Sequence, residues 1–461
     1  MYLDDTIAAI STPPGVGGIS IIRVSGKDSI PIVDKIFKSP KGKKLADVRS
    51  HTIHYGHIVH SDTMKIIDEV LISVMRQPHT FTREDMVEIN CHGGILSTRS
   101  VLEQVLHSGA RLANPGEFTK RAFLNGRIDL AQAEAIIDII RSNTKLGLEY
   151  AVDQLEGTLS KHINNIRKRL VSLAAHLQAA VDFPEDDIDE LSVDSLLNTL
   201  NSVLKDMENL IDTADMGKII REGLSTVIIG KPNVGKSSLL NALARENRAI
   251  VTEIPGTTRD TIEEYINIKG VPLKIIDTAG IRETDDIVER IGVKRSMESV
   301  DRADLILFII DNSEPLTEED MNIFTYIKDK KVIILINKID LKSRIDSSYI
   351  NELFKDYPIL FISLKEGIGL SQLEDTIADM FYQGRIGMKS DIIVTNVRHK
   401  DSLVKARQSV LNCIDSVKAG IPIDMIYIDI QNAIESLGEI IGLTVSEEII
   451  EEIFRDFCIG K

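Results

Sequence analysis

Gly230-Lys231-Pro232-Asn233-Val234-Gly235-Lys236-Ser237 decides the fold of the middle of this 461-residue chain. Two glycines, then lysine and serine, have the spacing of a phosphate-binding P-loop. The apolar run Thr226-Val227-Ile228-Ile229 before it reads as a buried strand, and stretch 238–244 after it reads as a helix. The chemistry requires that setting. Glycines let backbone N–H groups turn inward around phosphate oxygens, Lys236 reaches the β- and γ-phosphates, and the Ser237 hydroxyl ligates Mg2+. The helix N-terminus adds its dipole to the anion site. Asn233, Val234, Gly235, Lys236, Ser237 and Ser238 form the nucleotide-contacting set on this loop.

Working outward, four more motifs stand in the order such a site needs. Asp277-Thr278-Ala279-Gly280 follows the apolar run 273–276, bringing a carboxylate to the metal and a glycine N–H to the γ-phosphate. Asn337-Lys338-Ile339-Asp340 follows run 332–336, and the Asp340 carboxylate suits the ring N–H and exocyclic amine of guanine, a donor pair adenine lacks. Ser363-Leu364-Lys365 follows run 359–362 and offers backbone N–H groups to the guanine oxygen. Between the first two lies Val251-Thr252-Glu253-Ile254-Pro255-Gly256-Thr257-Thr258-Arg259-Asp260, where Thr257 or Thr258 caps Mg2+ and the γ-phosphate when GTP is bound. The five together predict a site that binds and hydrolyses GTP. One residue departs from the Ras-like pattern: Ile281 stands where a glutamine would orient the attacking water. Its side chain neither holds water nor accepts a proton, so another group must act. The nearest polar candidates are Arg282, Glu283, Asp285, Asp286 and Glu289.

The length predicts three domains, at roughly 100 to 200 residues each. Stretch 224–381 alternates β-type runs with helical ones, the rhythm of a mainly parallel, doubly wound sheet. Before 118 the pattern is mixed α/β: runs 6–11 and 19–24 form a hairpin around Pro13-Pro14-Gly15-Val16-Gly17-Gly18, run 86–91 is a strand, and 95–106 is a helix. Helical spacing governs 130–143, 159–180 and 191–213, and returns in 398–418, 425–437 and 446–457. The α/β unit therefore reads as inserted into a helical domain whose halves should touch. The acidic run 182–190 reads as a solvated turn between helices. Lys plus Arg number 54 against 70 Asp plus Glu, a net charge of −16 that disfavours a broadly basic nucleic-acid binder, so any RNA contact must be local or shared with a partner. Three scattered cysteines, Cys91, Cys413 and Cys458, point to a reducing cytoplasm, and no signal peptide or membrane-spanning run is expected. Cys91-His92 before Gly93-Gly94 reads as a tight turn, not a metal or catalytic pair.

The P-loop with Asn233, the threonine-rich segment, Asp277-Thr278-Ala279-Gly280-Ile281-Arg282-Glu283, Val288-Glu289-Arg290-Ile291-Gly292, Ala131-Gln132-Ala133-Glu134-Ala135 and the terminal Phe457-Cys458-Ile459-Gly460-Lys461 together resemble the MnmE (TrmE) family of tRNA-modification GTPases. The resemblance runs the length of the chain. It implies a tetrahydrofolate-binding and dimerisation domain at 1–118, a helical domain at 119–215 and 385–461, and a Ras-like G domain at 216–384. It implies K+ on Asn233, Thr252, Ile254 and Thr257, Mg2+ on Ser237 and Thr258, and Glu289 as the group that positions water. A 5-formyl-tetrahydrofolate or related cofactor would meet Arg23, Glu88, Arg127 and Lys461. Without the family, Arg23 and Arg127 read as ordinary surface residues. The resemblance further implies a homodimer acting with the flavoprotein MnmG (GidA) to place an aminomethyl or carboxymethylaminomethyl group on the wobble uridine of certain tRNAs. A ribosome-assembly or purely regulatory GTPase is the alternative. Cys458 reads either as a nucleophile or as a partly buried packing residue beside Phe454 and Phe457.

Overall fold

The computed structural model describes residues 4–182, 192–247, 264–276, 300–382 and 392–461. The N-terminal unit is a seven-stranded sheet in the order β3-β4-β5-β6-β2-β1-β7. Its strands are β1 (Ile7–Ile10), β2 (Ile19–Ser25), β3 (Phe37–Lys38), β4 (Thr52–Val59), β5 (Ile66–Met75), β6 (Met86–His92) and β7 (Arg111–Leu112). Alternation along β6 explains its two faces: Val87, Ile89 and Cys91 are buried, while Glu88, Asn90 and His92 lie on the other side. Antiparallel pairing with β2 sets Arg23 opposite Glu88. Helices Ser29–Ile36 and Ile95–His107 cover the apolar face through Val33, Ile36, Val101 and Val105. Gly93 packs on the backbone of Gly17, where a Cβ would collide, and Gly93-Gly94 link the end of β6 to helix Ile95–His107.

The expected contact between the two helical flanks is also present. Helices Thr158–Asp182 and Val193–Ile211 share a core with Val397–Lys418 and Ile423–Ile441, joining Leu170, Leu200 and Met207 to Val410, Ile430 and Leu437. Among the described residues no helix is long and apolar enough to cross a membrane.

The inserted unit is a six-stranded sheet in the order β13-β12-β11-β8-β10-β9, with β8 (Leu224–Ile229), β9 (Glu264–Ile268), β10 (Val271–Ile275), β11 (Leu305–Asp311), β12 (Val332–Asn337) and β13 (Ile359–Phe361). All pairings are parallel except β9 with β10. Helices cover both faces, so β11 and β12 are buried along their whole length, and this is why they read as unbroken apolar runs.

Expected stretch 191–213 is followed by a separate helix, Ala214–Glu222, that crosses between the units. Ala214 lies in the helical core and Ile220 in the sheet core. A division at 215/216 therefore falls inside a helix. Gly217 sits so close to the Val394 carbonyl on the returning chain that a Cβ would collide, and the Val394 N–H donates to Thr213 Oγ1 at 3.1 Å.

Candidate functional site

The P-loop leaves the C-terminal end of β8 and enters helix Lys236–Asn247. Gly230 (φ 151°) lies on the Ile309 carbonyl of β11, where any side chain would collide, and Asn233 takes a left-handed φ of 61°. At its far end the loop is fixed by Asn337: Nδ2 donates to the Val234 carbonyl at 2.7 Å and Oδ1 accepts the Leu364 N–H at 3.3 Å. Gly235 lies against that same amide. Lys236 Nζ donates to the carbonyls of Gly230 and Lys231 at 2.9 and 2.8 Å. Three of the five motifs thus meet at the strand ends. Lys338 pairs with Asp311 at the end of β11. Burial favours the protonated form of Asp311, but hydrogen bonds from Lys338 and Ser313 outweigh it and hold the carboxyl below its usual range. Ser363 Oγ donates to Asp340 Oδ1 at 2.7 Å, orienting the carboxylate expected to read guanine, and Lys365 follows in the same loop. Ser237 and Ser238 open the helix. Thr252, Glu253, Ile254, Pro255, Gly256, Thr257, Thr258, Asp277, Thr278, Ala279, Gly280 and Glu289 lie outside the described residues.

A second cluster gathers the other four expected residues. Arg23 donates from Nε and Nη2 to Glu88 Oε1 at 3.0 and 2.8 Å, and from Nη1 to the Gly460 carbonyl at 3.3 Å. Its guanidinium lies 5.5 Å from the Phe81 ring centre and 5.7 Å from that of Phe118. Arg127 stacks on Phe81 at 4.8 Å and donates to its carbonyl. Arg23 is therefore no ordinary surface arginine, its side chain being 16% exposed. The C-terminal tail reaches this point because Gly460 (φ 92°) seats on the Ile10 carbonyl, where a Cβ would collide, and Ser11 Oγ donates to the Gly460 carbonyl. Burial, then the Arg23 charge, pushes Lys461 below the usual lysine value, with Glu88 and Cys458 pulling the other way. Cationic, anionic and aromatic groups are thus assembled in one place. That donor set suits a flat heterocycle with an acidic tail.

The family model described as MnmE helical domain matches residues 130–458, and the one described as GTP-binding protein TrmE N-terminus matches 6–127. A tRNA modification GTPase MnmE from Alkaliphilus oremlandii is 55% identical over 461 residues, covering 100% of each chain. Proteins of the same name from Thermoanaerobacter pseudethanolicus and Geobacillus kaustophilus are each 54% identical and cover 99% of both chains. The chain belongs to the MnmE family of tRNA modification GTPases. As an MnmE-family enzyme it is a P-loop GTP hydrolase.

Two features of this MnmE-family chain escape a reading of its sequence. Glu134, inside an alanine-rich helix, accepts hydrogen bonds from Asn396 (3.0 Å), Arg398 (3.0 and 2.8 Å) and His399 (2.7 Å), joining both sides of the insertion. An acid among alanines on a buried helical face was the available signal. Cys458 differs from the packing expectation. The helix ends at Arg455, so Phe454 and Phe457 turn inward while Cys458 is exposed on the following turn.

Proposed function

We propose that this chain is a potassium-stimulated GTPase that acts as a homodimer with the flavoprotein MnmG (GidA). Together they install an aminomethyl or carboxymethylaminomethyl group on the wobble uridine of certain tRNAs in the cytoplasm, using a one-carbon unit from 5-formyl-tetrahydrofolate or a related tetrahydrofolate. One observation carries the reading: identity to a tRNA modification GTPase persists at 55% across all 461 residues, well beyond the P-loop unit.

In this reading residues 1–118 bind folate and dimerise, 119–215 with 385–461 form the helical domain, and 216–384 form the G domain. Arg23 and Glu88, with Arg127 and Lys461, hold the folate, the carboxylate meeting the pterin N–H groups and the cations the glutamyl tail. Ile19, Ile53, Tyr55 and Leu71, exposed on the strands of the N-terminal sheet, support dimerisation there. In the G domain Ser237 and Thr258 hold Mg2+, and Asn233, Thr252, Ile254 and Thr257 hold K+. The metal ions supply positive charge for the transferring phosphoryl group, and Glu289 positions the attacking water that Ile281 cannot. The −16 net charge agrees with the partner taking much of the tRNA phosphate contact.

Multiple-turnover GTPase assays in KCl and NaCl test the central claim. Faster turnover in KCl, lost on Glu289→Ala while GTP affinity is kept, is the expected result. Equal slow rates in both salts would overturn potassium stimulation. Wobble-uridine analysis of tRNA from cells lacking the protein tests the tRNA role, and an unchanged modification pattern would reject it.

A further inference from the structure

The P-loop is held at its two ends by groups its motif explains. Gly230 is seated on Ile309, and Val234 with Gly235 is seated on Asn337. The residues between are held differently. Lys231 is 9% exposed, unusual for a lysine beside a nucleotide site, and its ammonium turns away from the loop's own backbone to the segment after β11. There it meets Asp320 Oδ2 at 2.8 Å and Thr317 Oγ1 at 3.2 Å. Asp320 opens helix Glu318–Ile327 and is 1% exposed.

We propose that Lys231 and Asp320 form a tether that holds the P-loop backbone in its phosphate-binding shape, making Lys231 a positioning residue of the GTPase. The proposal rests on the reading of this loop as the GTP site. Three observations carry it. First, the helix cap is complete without the lysine: Asp320 Oδ2 already accepts the Thr317 N–H at 2.9 Å and the Thr317 hydroxyl at 2.8 Å. The lysine adds a link between two elements that otherwise stand apart in sequence. Second, the main chain of the same residue is held by the P-loop lysine, since Lys236 Nζ donates to the carbonyls of Gly230 and Lys231. When Lys236 moves to the β- and γ-phosphates those two hydrogen bonds are given up. The side-chain tie of Lys231 then remains to keep the 230–233 peptides aimed at the phosphates. Third, Asn233 two residues on has φ 61°, a conformation a free loop seldom keeps. Backbone N–H groups act on a phosphate only if they need no reorganisation when it arrives.

The segment 311–320 thus braces both halves of the nucleotide site. Asp311 at its start pairs with Lys338 of the guanine-reading motif, and Asp320 at its end pairs with Lys231 of the phosphate-binding loop.

The test compares dissociation constants for GDP and GMP, by competition against a fluorescent GDP in the presence of Mg2+, in the full-length protein. Only GDP presents a β-phosphate to the loop. In Lys231→Met/Asp320→Leu, which removes both charges and keeps apolar bulk, the GMP-to-GDP ratio should fall by about tenfold or more. Lys231→Arg, which keeps the pair, should hold the ratio within about threefold of wild type. A general loosening of the domain would weaken both nucleotides together and leave the ratio unmoved, and that result would overturn the proposal. If the double variant does not fold, Lys231→Gln, which leaves Asp320 its bonds from Thr317, carries the same expected and overturning outcomes. Failure of the wild-type protein to prefer GDP over ADP would instead reject the reading of the site.

Discussion

Two clusters of charge in this molecule are built from the same groups, a glutamate facing arginine, and their surroundings separate them. Glu134 is 6% exposed at its side chain and each carboxylate oxygen takes two hydrogen bonds, from Asn396, Arg398 and His399. Arg398 is in turn bound to the carbonyls of Glu439 and Ile440. Glu88 is 23% exposed, and both of its bonds from Arg23 fall on one oxygen. The first is saturated and closed, as a seam must be. The second keeps spare acceptor capacity beside aromatic faces and a lysine pushed below its usual pKa, in keeping with the folate-binding role proposed for it.

The same substitution should therefore do opposite things in the two places. Glu134→Gln removes the charge that Arg398 and His399 face, and breaking a buried pair on one side costs about 3–5 kcal/mol. Urea unfolding followed by a probe in the helical unit should show that loss. A shift below about 1 kcal/mol would mean that the seam is not electrostatic.

Acid sharpens the contrast. Burial would raise the Glu134 pKa, but the charge and hydrogen bond of His399, then those of Arg398, leave it at about 2, below the ordinary glutamate value of 4.5. A depressed carboxyl stabilises the fold above its unfolded pKa and ceases to as pH falls through its folded pKa. The contribution is present above about pH 4.5 and is lost by about pH 2, on the order of 3 kcal/mol. Asp138, raised by burial against the pull of Arg221, works in the opposite direction and regains stability on acidification. Stability measured against pH should fall less steeply over this window in Glu134→Gln than in wild type. Parallel curves would refute the assignment.

How these regions looked in sequence follows from their physics. The P-loop, Asn337, Asp340 and Ser363 were legible because phosphate and guanine demand fixed residue types at fixed strand ends, and the buried strands β11 and β12 announce themselves as apolar runs. Strands β4 and β5 do not announce themselves, since their open face mixes exposed Ile53, Tyr55 and Leu71 with His57 and Glu69, while the polar His54 and Asp68 fall on the covered face, and this blurs the alternation. The Glu134 seam was hidden because its partners stand more than 260 positions away, across the inserted unit. Arg23 meets Glu88 through a register between strands far apart in sequence, which the family pattern supplied and local spacing did not.

At the open cluster the expected effect is on ligand binding. Glu88→Gln leaves a neutral acceptor for Arg23, so stability should change by no more than about 1 kcal/mol. Affinity for 5-formyl-tetrahydrofolate should fall about tenfold to a hundredfold, the value of one charge-assisted hydrogen bond of about 1.5–3 kcal/mol. Isothermal titration reads this directly. Unchanged affinity in Glu88→Gln, or in Arg23→Ala, would remove the cluster from folate recognition.

The smallest effect concerns the neck where the inserted unit leaves and rejoins the helices. Thr213 Oγ1 accepts the Val394 N–H and donates to the Leu210 carbonyl at 2.7 Å, in a place where Gly217 also presses on Val394. Thr213→Val keeps the shape and removes the hydroxyl, leaving a buried N–H without its acceptor at a cost of about 1–3 kcal/mol. Because the neighbours of this hydroxyl, Leu210, Ala214 and Val394, lie in the helical core, which includes no P-loop residue, the loss should appear in unfolding of the helical unit while GDP affinity stays within about twofold of wild type. If GDP affinity moved instead, the neck would belong with the ligand-responsive parts of the molecule and not with the Glu134 seam. The line between closed and open clusters would then have to be redrawn to include it.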